Sequence, residues 1–249
     1  MEQTILHKLH EIEKMQNIHI LLAVESGSRA WGFASPDSDY DVRFIYVRPK
    51  EGYLCLEKIR DVIEYPIHNL LDINGWDLKK TLQLLYKSNP TVFEWFSSPI
   101  VYIETEFAQK CKNSIQEYFS VKRSLYHYVS MAQKNYAAYL NQDMVTVKKY
   151  FYALRPVLAC RWILDYGTPP PMSFSELMEA ELPQTLYTEV TKLLELKMNA
   201  PEIQKIAKVN RIHVYLDTSI QEIKHILQSL HDAKHVDWKK LNALFLQAL

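Results

Sequence analysis

Apolar positions along the chain recur first with a helical and then with a strand period. Ile5, Leu9, Ile12 and Met15 share one helical face over residues 2–16, with charges between them. His19 to Glu25 is a short β-like run that ends at Ser26-Gly27-Ser28, and Asp41 to Val47 (DVRFIYV), β-branched and aromatic, predicts a second strand. Asp61 to Tyr65 and Asn69 to Ile73 are weaker strand candidates. Asn74-Gly75 is expected to break that run, after which Asp77 caps a helix from Leu78 to about Lys87, and Pro90 opens a short helix to Phe96. From about Glu104 the pattern is almost wholly helical, with helices expected near 104–119, 121–141, 144–166, 173–181, 183–197, 201–210, 216–231 and 237–248. Pro156 predicts a kink in the third of these, Ser173 with Glu176 makes a capping box, and Asp237 caps the last helix. Four of the five glycines precede residue 76, so the front of the chain is turn-rich. The expectation is an α+β protein: a small α/β domain with a mixed sheet over 1–103, then a helical domain over 104–249.

Composition changes this picture little. The 249 residues, with 16 Tyr, 9 Phe and 5 Trp, supply a sizeable core without staples. Lys plus Arg and Asp plus Glu balance at 29 each, which argues against a surface that is basic throughout but leaves room for a local basic groove. Cys55, Cys111 and Cys160 are widely spaced, with neither disulfide-framework nor zinc spacing. The amphipathic start is unlike a signal peptide and no apolar run is long enough to span a bilayer, so a cytoplasmic setting without a membrane partner is expected.

Chemistry concentrates in Ser26-Gly27-Ser28-Arg29-Ala30-Trp31-Gly32 and in Ser35-Pro36-Asp37-Ser38-Asp39-Tyr40-Asp41-Val42. Gly27 and Ser28 end a strand at a sharp turn, where backbone N–H groups and a hydroxyl cradle a phosphate. Ten residues separate Ser28 from Asp39. If extended, Asp39 and Asp41 point to one face of a strand, and two carboxylates held that close require a cation between them. Oxygen-only ligands favour Mg²⁺ or Mn²⁺. Arg43, two residues beyond Asp41, shares that face and suits either those acids or a triphosphate. An exposed hairpin turn is the simpler reading of SPDSDYD, and the preceding Gly-Ser weighs against it.

These residues resemble the Gly-Ser, ten-residue gap, Asp-x-Asp pattern of the DNA polymerase β-type nucleotidyltransferase superfamily. The tract GSRAWGFASPDSDYDVRFIYV, with GWDLKK, KSNP, EW, SPIVY and KKYFYALRP, is similar to a bacterial and phage family of predicted nucleotidyltransferases, some linked with RNA repair. The resemblance spans about the first two-thirds of the chain. It implies that Gly27 and Ser28 hold the β- and γ-phosphates of a nucleoside triphosphate, that Asp39 and Asp41 hold Mg²⁺ or Mn²⁺, and that a third acid on a neighbouring strand completes the set. Asp72, in Leu70-Leu71-Asp72-Ile73, is the choice for that acid; Asp77 and Glu64 are rivals, Asp77 having a role as a helix cap already.

On the helical side Lys148, Tyr152, Arg155, Ala159 and Trp162 form one stripe, and Lys148 and Arg155 are candidates for triphosphate oxygens. Lys149, His127 and Lys134 are weaker ones, and His7 with His10 has metal-compatible spacing best explained by chance on a helix surface. The expected activity is transfer of a nucleoside monophosphate from an NTP to a hydroxyl, with an RNA 3′ end as the acceptor suggested by resemblance. A protein hydroxyl, a small-molecule acceptor, or a binding module without chemistry are the competing readings.

Overall fold

The structure, a computed structural model, describes residues 1–201, 203–231 and 237–249. Two compact units form: residues 1–30 and 39–118 with the C-terminal helix make one, and Trp31–Ser38 with the described residues from 119 to 231 make the other.

The first unit runs α1 (Glu2–Gln16), β1 (His19–Glu25), α2 (Gly27–Ala30), β2 (Tyr40–Val47), α3 (Lys50–Leu54), β3 (Val62–Glu64), β4 (Leu71–Asp77), α4 (Leu78–Tyr86), α5 (Pro90–Phe96), β5 (Val101–Glu104) and α6 (Glu106–Lys112), then a 3₁₀ turn, Ile115–Tyr118. Its mixed five-stranded sheet has the order β3-β4-β2-β1-β5, with β2 and β4 parallel and the other neighbours antiparallel. Ile5, Leu9 and Ile12 of α1 are fully buried in one cluster with Val42, Phe44 and Tyr46, alternate residues of β2. Alternation turns Asp41 and Arg43 to the opposite face.

Two local expectations change here. Asn74-Gly75 does not end a strand but lies in the middle of β4, because Gly75 pairs with Phe44 and a Cβ there would sit 2.2 Å from the Phe44 ring. The glycine makes room for an aromatic on the neighbouring strand. Asn69 and Leu70 are not strand but a two-residue turn at positive φ (50° and 64°), closed by Leu71 N donating to His68 O at 2.9 Å. The turn also receives Tyr40 N on Leu70 O at 2.7 Å, which pins the start of β2. β5 was not expected: Val101-Tyr102-Ile103 favour a strand, but the run is only four residues long.

A leucine in the left-handed region costs about 1 kcal/mol, and Leu70 is 42% exposed, so little packing offsets the strain. Leu70→Gly is therefore expected to raise stability by about 1 kcal/mol in urea melts. A loss would mean that the side chain's contacts outweigh its backbone strain.

The second unit contains α7 (Val121–Tyr139), β6 (Met144–Thr146), α8 (Val147–Tyr166), α9 (Phe174–Glu181), α10 (Gln184–Asn199), β7 (Lys205–Ala207) and α11 (Asn210–Ser229), while α12 (Trp238–Ala248) belongs to the first unit. Among the described residues the helix expected at 201–210 is absent: Lys205–Ala207 instead pairs antiparallel with Met144–Thr146, which also trims the start of the helix expected at 144. Such a ribbon between distant segments leaves no periodic trace in either. Pro156 sits inside an unbroken α8, and the Tyr152 carbonyl that its missing N–H would have served accepts from Asn135 Nδ2 at 2.8 Å. Among the described residues no helix is long and apolar enough to cross a membrane, and the three cysteines are free.

Candidate active site

The site is built where β1 ends and where β2 and β4 begin. Gly27 bends the chain at φ 58°, and a Cβ there would lie 1.9 Å from Asp41 Oδ2. The turn thus closes directly on a carboxylate, and only glycine allows it. Ser26 N donates to Asp41 O at 2.9 Å, tying the bend to β2. Ser28 follows on α2, and Arg29 stacks over the Tyr40 ring at 3.6 Å while its Nε donates to Asp39 O at 3.1 Å.

Parallel pairing of β2 with β4 sets Asp41 opposite Asp72. Arg43 Nη2 bridges them, 2.8 Å from Asp41 Oδ1 and 2.7 Å from Asp72 Oδ2, and Arg43 Nη1 donates to Asp72 O and Val42 O. Arg43 thus pairs with the acids. Asp39 lies one residue before β2, close enough for its charge to act on Asp41. The tightest acid pair is therefore made by cross-strand register, with i, i+2 alternation bringing only Asp39 near.

Burial, first of all, pushes the Asp41 carboxyl above the ordinary carboxylate range. Arg43 opposes that shift, and the like charges of Asp72 and Asp39 reinforce it. The donors are all oxygen, and a cation already stands between two of them, so the acids fit an oxygen-preferring divalent ion in kind. Among the described residues, no three His, Cys, Asp or Glu side chains converge as they stand, the guanidinium holding one oxygen of each of two acids.

The rival acids lie elsewhere. Asp77, at the far end of β4, caps α4 by accepting from Lys79 N at 2.8 Å and takes the Tyr53 hydroxyl at 2.9 Å. Glu64 is exposed on β3, paired with Arg60. A cavity of about 270 Å³ opens near Asp77, lined by Arg48, Tyr53, Lys58, Arg60 and Lys79 among others. It is at the opposite ends of β2 and β4 from Asp41 and Asp72.

Sequence reasoning missed Glu25. This residue is fully buried, accepts Asp41 N at 2.7 Å and the Tyr102 hydroxyl, and its own carbonyl takes Ser98 Oγ at 2.6 Å. Burial raises its pKa against those two hydrogen bonds. The available signal was an acid closing an otherwise apolar strand.

Lys148 and Arg155 fall in the helical unit. Arg155 is 3% exposed, its guanidinium 4.5 Å from the Trp31 ring centre and 3.7 Å from Met172 Sδ, while Lys148 is half-buried on α8. Lys149 stacks on Tyr139 at 3.6 Å. His7 pairs with Glu11 and His10 contacts Leu6 O, so those rings are engaged separately.

A glycine-serine bend thus closes on a carboxylate, with a second acid in register on the adjacent parallel strand of a mixed sheet. The chain belongs to the RNA repair pathway DNA polymerase beta family, whose model matches residues 1–247. It is 47% identical over 251 residues to a Bacillus subtilis (strain 168) protein titled uncharacterized protein YcgL, covering 100% of this chain and 96% of that one. A solved nucleotidyltransferase-like protein from Exiguobacterium sibiricum 255-15 aligns at TM-score 0.32 and 14% identity, over 90% of this chain and 75% of that one.

Proposed function

We propose that this protein transfers a nucleoside monophosphate from an NTP to a hydroxyl acceptor, an RNA end, with release of pyrophosphate. The observation that carries the proposal is the contact of the Gly27 bend with Asp41, itself in register with Asp72. In this reading Gly27 and Ser28 hold the β- and γ-phosphates. Asp39, Asp41 and Asp72 hold Mg²⁺ or Mn²⁺, which when bound neutralises phosphoryl charge and acidifies the acceptor hydroxyl. The acceptor oxygen bonds to the α-phosphorus, the bond from that phosphorus to the bridging oxygen breaks, and pyrophosphate leaves. The hydroxyl proton passes to a carboxylate, for which Asp72 is the candidate. Glu25 holds the Asp41 backbone from behind and stays out of the chemistry. The family's RNA-repair description supports the RNA acceptor.

The test is incubation with each α-labelled NTP, Mg²⁺ or Mn²⁺, and RNAs of different ends. Labelled RNA and free pyrophosphate are expected. Metal-dependent NTP binding without pyrophosphate release overturns the proposal in favour of a binding module, and label on the protein replaces the acceptor.

A further inference from the structure

Lys197, in the last turn of α10, is only 3% exposed. An ammonium at that depth is costly unless fixed dipoles replace its water. Its Nζ donates to Ser35 Oγ at 2.8 Å and to Ser38 Oγ at 3.4 Å, two hydroxyls that are themselves buried. Ser38 Oγ also accepts Ser35 N at 3.0 Å and lies 2.9 Å from Ser35 Oγ, while Ser38 N donates to Ser35 O at 3.1 Å. Two donors are thus aimed at the Ser38 oxygen, beside its hydrogen bond with the Ser35 hydroxyl. The turn Ser35-Pro36-Asp37-Ser38 is thus closed by backbone, hydroxyls and ammonium together.

This turn belongs to Trp31–Ser38, a segment that folds with the helical unit. Phe33 is fully buried in that unit's core, and Trp31 O accepts Phe174 N at 2.9 Å. One end of the segment is peptide-bonded to Ala30, on the helix of Gly27 and Ser28; the other is peptide-bonded to Asp39. The chain between the Gly27 bend and the acids is therefore held by side chains remote in sequence up to Ser38, the residue bonded to Asp39.

We propose that Lys197 is a positioning residue for nucleotidyl transfer, acting through the Ser35–Ser38 turn to hold the chain where it delivers Asp39. The proposal rests on the reading of the site given above. Lys197→Met keeps the apolar stem and removes the charge. In the full-length protein, far-UV circular dichroism and cooperative melting should persist, and amide exchange over 33–38 should accelerate. The kcat should fall about 10- to 100-fold, the scale of a small misplacement of reacting groups, with the NTP KM within about threefold. Ser38→Ala should do the same, and the double variant should lose little more than either single one, as coupled residues do. If Lys197→Met fails to fold, Ser38→Ala carries both readouts. Wild-type exchange over 33–38, or wild-type kcat, in the folded variants overturns the proposal. A wild-type protein that transfers no nucleotide defeats the reading of the site instead, and exchange then decides the clamp by itself.

Discussion

Asp41→Asn will reduce nucleotide transfer by roughly a thousandfold or more, the scale of several kcal/mol of lost electrostatic assistance, and will leave the protein more stable at pH 7. Both results follow from one placement. Asp41 is the acid that touches the Gly27 bend and faces Asp72, so removing its charge removes the centre of the site. The same charge burdens the fold, because burial and two neighbouring acids outweigh Arg43 and raise its pKa. An acid whose folded pKa lies above its unfolded value binds more protons in the native state. Native stability therefore falls as pH rises through the window from the ordinary carboxylate range up to the raised value. Asparagine keeps an oxygen for Arg43 and has no charge to desolvate. Urea melts from pH 4 to 8 in chelator should show a shallower decline for the variant, with the residual slope due in part to Glu25, also raised by burial. Wild-type turnover in Asp41→Asn would remove the catalytic assignment, and a less stable variant would remove the like-charge argument.

Gly27→Ala is expected to be nearly as damaging from a single methyl. The new Cβ would meet Asp41 Oδ2 at 1.9 Å and Cγ at 2.7 Å, so either the carboxylate or the bend must move. The residue also sits at φ 58°, where a Cβ adds about 1–2 kcal/mol of backbone strain. Turnover should fall about a hundredfold or more, since a shift near 1 Å at reacting groups has that effect. Gly32→Ala is the control. It too has positive φ, 85°, but its Cβ would have nothing within 4 Å. It should lose stability while keeping turnover within a few-fold of wild type. Equal losses in both would mean that backbone conformation, and not the clash with Asp41, is what matters.

Much of the first unit was legible because its signals are local. α1, β1, β2 and the Asp77 cap follow from periodicity and from side chains that serve nearby backbone, and the structure repeats them almost residue for residue. The misread parts depend on distant partners. Gly75 reads as a breaker until Phe44 is seen lying against it, and Met144–Thr146 reads as helix until Lys205–Ala207 arrives beside it. Leu70 gives no hint of a left-handed turn, since leucine disfavours one and the surrounding strands impose it.

By itself the sequence determined a glycine-serine bend ten residues before an acid pair, because residue type and spacing along the chain are all that such a pattern needs. The sequence pattern favoured Asp72 as a third acid, and tertiary structure supplied its register with Asp41. Asp72, Asp77 and Glu64 are equally acidic in the sequence, and only the parallel register of β4 on β2 sets Asp72 opposite Asp41 and leaves the others remote. It also decided that Arg43 bridges the acids, that Glu25 is buried behind them, and that Lys197 closes on Ser35 and Ser38. Each is a meeting of residues far apart in the chain, which local preference cannot encode.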